Sequence, residues 1–152
     1  MRRTEIQRKP RPRKKPGSCQ MPKCRRPGNR IASNDKRMCD KHAADRAVGD
    51  FVKARDKVCV RCGAEGPLDW AHVISRRYGA IRWSVGRDIT DPWNNSVAFC
   101  RRCHFWQTTH PLEGDDFFRS LGIDLDNLRH LALNDPPQDP SDVLHWLSGD
   151  GP

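Results

Sequence analysis

The sequence predicts a small α+β protein whose apolar core is too small to hold it together alone. Three observations lead to that class. The chain has 152 residues, 36% hydrophobic and 31% charged, which leaves little side-chain area to bury. Its seven cysteines all fall in tight clusters, so ligation or cross-linking must supply what burial does not. Two short apolar runs, Leu68–Ile74 and Ser96–Cys100, lie among helical patterns and read as strands. Other classes fall away. No run of apolar residues approaches the length of a transmembrane helix, and neither a glycine period nor sustained heptads occur. The first residues are charged with no apolar stretch behind them, unlike a secretory signal, so a cytoplasmic protein is expected.

Taken in order, residues 1–18 carry eight basic residues, one acid and three prolines. Such a segment cannot repay its ordering entropy by burial and reads as a disordered basic arm. Residues 19–45 form a small segment with Cys19, Cys24, Cys39 and His42 among Gly, Pro and Asn. Residues 43–58 have helical spacing, with Ala47, Phe51 and Ala54 on the expected buried face and Gly49 as a blemish. The two strand runs belong to a unit expected over 46–112 and are joined by a long polar loop containing Trp83 and Trp93. From His104 onward the pattern is helical. Within an acidic extension, 113–152, Phe117, Phe118 and Leu121 form one stripe, and Leu125, Leu128, Leu131 and Leu133 another. A Pro-rich break at 134–140 precedes a last helix, Ser141–Leu147, with Ser141 as the expected N-cap. Trp83, Trp93, Trp106, Phe117 and Phe118 are expected to pack in the core.

Charge is divided unevenly. The net charge is +9, but residues 1–112 hold 26 Lys and Arg against 10 acids, while 113–152 hold 2 against 9. A basic body implies a polyanionic partner. Nucleic acid leads and an anionic membrane comes second, because no strongly amphipathic helix accompanies the charge. The acidic helices offer a docking surface for a protein partner, and either a monomer or a dimer is compatible.

The cysteines divide without remainder into two sets of four ligands. Cys59-x-x-Cys62 is followed, after a 37-residue spacer, by Cys100-x-x-Cys103, and Cys19-x4-Cys24 by Cys39-x2-His42. Paired knuckles suit tetrahedral zinc, because each turns two thiolates toward one ion. Two structural zinc ions are therefore expected, their binding energy serving as folding energy. A secreted disulfide scaffold is the competing reading, weakened by the odd cysteine count.

Between and beside the second pair of knuckles stand CVRCG, LDWAHVIS and NNSVAFCRRCH. In these segments the chain resembles the HNH endonucleases of the ββα-metal superfamily, in their zinc-stabilised branch. The resemblance covers residues 58–110, about a third of the chain. It implies a ββα-metal motif between the two knuckles, with His72 on the first strand as general base, Asn95 pinning the loop and orienting His72, and His104 as ligand of a catalytic Mg²⁺ or Mn²⁺. The chemistry is phosphodiester hydrolysis in DNA. A neutral imidazole with a pKa of about 6.5 accepts a proton from water at physiological pH, and a divalent cation neutralises the phosphate. The resemblance places His72 in a solvent-facing cleft and implies a phage or mobile-element origin, hence the host cytoplasm.

One position departs from that pattern. Many family members carry Asp, Glu or His immediately before the base, where this chain has Ala71. Asp69 lies on the same strand face but about 6–7 Å further along, so its coordination requires a bend or a bridging water. A D-x-x-H base strand, followed by Ser75, Arg76, Arg77, Arg82 and Trp83, is similar to the lambdoid-phage recombination endonucleases of the Rap type. Arg76, Arg77, Arg82, Arg87, Arg101 and Arg102 flank the motif as expected phosphate clamps. His110 is separated from His104 by six residues and precedes Pro111, which reads as a break after a surface histidine. His130 and His145 read as ordinary helix residues. A zinc-dependent nucleic-acid-binding module without catalysis is the alternative to the nuclease, and an adaptor in a packaging or recombination assembly is a third reading.

Overall fold

The strand and helix patterns are realised in chain order, in a computed structural model that describes residues 17–31, 36–74, 94–134 and 139–148. The fold is small α+β, with two short antiparallel sheets. Strands β1 (Arg30–Ile31) and β2 (Arg37–Met38) form the first hairpin. Helix α1 (Asp40–Asp56) follows and contains the 45/46 division expected from the sequence. The second sheet pairs β3 (Leu68–His72) with β4 (Ser96–Cys100), in a register that sets Leu68 opposite Cys100 and His72 opposite Ser96. Four helices complete the chain: α2 (Arg101–Thr109), α3 (Pro111–Ser120), α4 (Leu125–Asn134) and α5 (Pro140–Leu147).

The β3–β4 hairpin is covered on both faces. Toward α1 and α5 it presents Trp70 and Ala98, which meet Ala44, Val48, Val52 and Val143. Toward α2, α3 and α4 it presents Ala71, Val97 and Phe99, packed with Phe118, Leu125 and Leu128. Each of these fully buried large side chains stabilises the fold by about 1.5–3 kcal/mol, so the acidic extension is part of the core. Its acids are partly neutralised within it, Asp115 and Asp126 by Arg129, and Asp116 by Arg119.

Several elements differ from the periodicity reading. The buried face of α1 is Ala43, Ala44, Val48, Gly49 and Val52, while Ala54 is exposed. Gly49 turns inward because Trp70 lies against it; a Cβ there would stand 3.4 Å from the indole. In α4, Ala132 takes the buried place expected of Leu133, which is 71% exposed, since positions 125, 128 and 132 share one face. Asp139, not Ser141, caps α5: its carboxylate accepts the Ser141 N–H at 2.7 Å, and Pro140 occupies the first turn. Gly17 and Ser18, expected in the arm, belong to the first lobe, where Gly28 N donates to Gly17 O at 2.8 Å and Ser18 bridges to Pro27. The rest of the arm, 1–16, lies outside the described residues.

A polar network closes the outer edge of β4. Arg55 donates to Asn94 Oδ1 at 3.0 Å and to Ser96 O at 2.7 Å, and it pairs with Asp56. Asp56 Oδ2 accepts Ala98 N–H at 2.7 Å, and Val60 N donates to Ala98 O at 3.0 Å. Backbone groups that an edge strand would leave open are thereby satisfied.

Candidate metal centres and the hairpin site

Each expected ligand set converges. Cys59, Cys62, Cys100 and Cys103 bring their sulfurs within 4.8 Å of one another, and so do the ligand atoms of Cys19, Cys24, Cys39 and His42. No disulfide links any cysteine. The spacing suits an ion: zinc–sulfur bonds of about 2.3 Å in a tetrahedron put sulfurs about 3.8 Å apart. Cys62 and Cys100 are 3.8 Å apart, Cys24 and Cys39 3.9 Å, and His42 Nδ1 lies 3.3 Å from both Cys19 and Cys39. Both clusters can therefore hold a metal such as zinc.

The second cluster is built at a structural junction. Cys59 and Cys62 sit on a turn closed by Gly63 N donating to Cys59 O at 2.8 Å, with Gly63 at φ +70°. Cys100 ends β4 and Cys103 lies in the first turn of α2. Arg61 lies over the Trp106 ring at 3.7 Å and approaches Cys103 Sγ, also at 3.7 Å. Burial opposes ionisation of Cys59, but the N–H groups of Cys100, Cys62 and Arg61 outweigh it and hold the thiol down at about 7. Burial first, then the neighbouring thiols, push Cys103 up to about 12. In the first cluster burial likewise raises Cys39, whereas the N–H groups of Cys39 and Met21 outweigh burial at Cys19 and lower it.

The hairpin places the remaining predicted residues in two groups. On the α2 face, Asp69 Oδ2 lies 3.3 Å from His104 Nδ1 and 3.1 Å from the Arg101 guanidinium, which is otherwise exposed. Ala71 is fully buried beside Val97. On the α1 face, the His72 ring packs on Trp70 at 4.5 Å, and its Nε2 is buried. His72 as a whole is half-buried, because strand alternation turns its ring to the same side as Trp70.

The backbone around His72 is clamped from two directions. Fully buried Asn95 accepts Ile74 N–H on Oδ1 at 2.5 Å and donates from Nδ2 to Ile74 O at 3.1 Å. Gln107 Nε2 donates to His72 O at 2.7 Å. Gln107, Arg61 and the Arg55–Asp56 pair were not singled out from the sequence. For Gln107 a signal was available, since it lies three residues after His104 on α2 and so shares its helical face.

Other expected residues fall elsewhere. Arg102 is exposed on α2. Arg76, Arg77, Arg82 and Arg87, with Trp83 and Trp93, lie outside the described residues. His110 is exposed, closes α2 and stacks on Trp106 at 6.3 Å, and Pro111 starts α3. His130 and His145 are exposed on their helices. Phe118 is buried, Phe117 packs beside it, and Trp106 meets Phe117 edge-on. Among the described residues no helix is long and apolar enough to cross a membrane.

No protein-family model matches this chain, and neither curated proteins nor solved structures include a similar one.

Proposed function

We propose that this protein is a metal-dependent endonuclease that hydrolyses DNA phosphodiester bonds in the manner of the HNH enzymes. The meeting of Asp69 and His104, 3.3 Å apart although 35 residues separate them, is the observation that carries the reading. It brings a carboxylate and an imidazole together on the α2 face of the hairpin, opposite the face that carries the His72 ring. Adjacent ligands of an octahedral ion with bonds of about 2.1 Å stand about 3 Å apart, so this pair suits Mg²⁺ or Mn²⁺. Bound there, the cation supplies charge neutralisation at the scissile phosphate. Asp69 thereby stands in for the acid missing at Ala71.

His72 is the general base, accepting the proton of the attacking water on a neutral imidazole. Gln107 positions it by holding its own carbonyl, and Asn95 by holding the main chain two residues further on, at Ile74. Arg101 and Arg102 face the phosphates on one side of the junction, with Arg76, Arg77 and Arg82 assigned to the same task. Zinc in both cysteine clusters supports the fold, and the basic arm and first lobe extend the DNA contact.

A second reading has its own support. The buried Nε2 of His72 favours a zinc-supported DNA-binding module without catalysis. Incubation of the purified protein with supercoiled plasmid decides between the two. Nicking that requires Mg²⁺ or Mn²⁺ supports the nuclease; DNA retention without nicking in either metal supports the binding module.

A further inference from the structure

The lobe that holds the first cluster, given a share of the DNA contact above, carries a charged basin. Lys23, Arg25, Arg26 and Lys41, with the cluster ligands Cys24 and His42, line an open concavity of about 550 Å³ into which no carboxylate projects. Lys41 pairs with Asp45 at 3.4 Å. Lys23, Arg25 and Arg26 are exposed, and among the described residues no acid stands within ion-pair distance of them. Three cations side by side repel one another, an arrangement that costs stability until an anion arrives.

The backbone that presents them is fixed. Cys24 N donates to Met21 O at 3.2 Å, closing a turn with Pro22 and Lys23 at its centre, and Cys19 N donates to Arg26 O at 3.0 Å. Lys23 has φ +61°. Proline followed by a positive φ is the type II pattern, whose third position favours glycine. A side chain there costs about 1 kcal/mol, so local conformation does not favour lysine at this position.

We infer that this basin binds the sugar–phosphate backbone of duplex DNA, with Lys23, Arg25 and Arg26 each meeting a phosphate. The chemistry is that of phosphate contact without base readout. A lipid surface fits less well, because the basin offers no large apolar side chain to insert. The inference rests on the DNA partner of the proposed function and is independent of cleavage.

The test uses the full-length, zinc-loaded protein and a labelled duplex of arbitrary sequence, with binding measured across a salt series without Mg²⁺. The triple variant Lys23→Gly, Arg25→Gln, Arg26→Gln should keep its zinc and show a log–log salt slope shallower by about two to three. A slope difference of about two, over the decade below 1 M salt, makes binding about a hundredfold weaker at 0.1 M. Lys23→Gly alone should raise the melting temperature while reducing the slope by about one, a combination that a structural role for the lysine does not produce. This single variant decides the matter if the triple variant loses zinc. Unchanged slope and affinity in a zinc-loaded variant overturn the inference. So does a loss that appears only when the same proteins are assayed on anionic phospholipid vesicles in place of duplex, or a parent that fails to hold duplex at low salt. A parent that binds duplex but never nicks plasmid removes the nuclease and leaves the basin standing.

Discussion

Asn95 holds both backbone polar groups of Ile74, accepting its N–H at 2.5 Å and donating to its C=O at 3.1 Å. An amide side chain offers a donor and an acceptor spaced like those of a peptide, so Asn95 replaces a strand where β3 has ended. Val73 N donates to Asn95 O at 3.1 Å and completes the seam. The position of the His72 main chain therefore depends on a residue 23 places further along the sequence.

Asn95→Ala leaves two buried groups unsatisfied and should cost about 3 kcal/mol in denaturant unfolding of the zinc-loaded protein. Gln107→Leu frees only the His72 carbonyl and should cost about 1 kcal/mol. A smaller loss for Asn95→Ala than for Gln107→Leu would contradict the clamp.

His72→Gln should lower plasmid nicking by about 10²–10⁴-fold while duplex affinity holds. His72→Ala should in addition cost about 1–2 kcal/mol of stability, since the ring leaves a gap against Trp70. Parent-like nicking by His72→Gln in Mg²⁺ would remove His72 as the base.

Elemental analysis of protein purified without added metal should find about two zinc ions per chain. Cys100→Ser should unfold the hairpin region, because that sulfur joins β4 to the turn at Cys59. Cys24→Ser should leave a folded core with weaker DNA binding. A single zinc would remove the first site, and disulfides formed under reducing conditions would remove both.

Zinc uptake should also release protons. With Cys103 held at about 12, the metal-free second cluster keeps a thiol proton at neutral pH, which the cation must displace. Affinity should therefore rise with pH, and titration calorimetry in buffers of different ionisation enthalpy should report the released proton. Heats independent of buffer would refute thiolate ligation.

Deleting residues 1–16 removes eight cations and one anion, a loss of seven positive charges, and spares Gly17, whose carbonyl the first lobe uses. Duplex binding should weaken similarly for unrelated sequences, with a salt slope shallower by about three to five. An unchanged slope would make the arm a simple leader, and a loss for one sequence alone would make it a reader of bases.

The sequence by itself determined the two ligand sets, because thiol spacing within a knuckle is a local property that a turn realises wherever it sits. It also determined the two strands, the helical order and the proline break after His110, all of which depend on short periods and on a missing N–H. It placed Asp69 on the face of position 71 by alternation alone. Only the tertiary structure decided which face of α1 is buried, since Ala47 and Ala44 are equally apolar and the choice fell to the stripe that admits Trp70 at Gly49. Likewise, the Asp69–His104 meeting, the Gln107 bond to His72 and the inward turn of the His72 ring arise from the β3–β4 register and the direction in which α2 leaves β4. These are contacts between residues far apart in the chain, and no local pattern encodes the angle at which two elements pack.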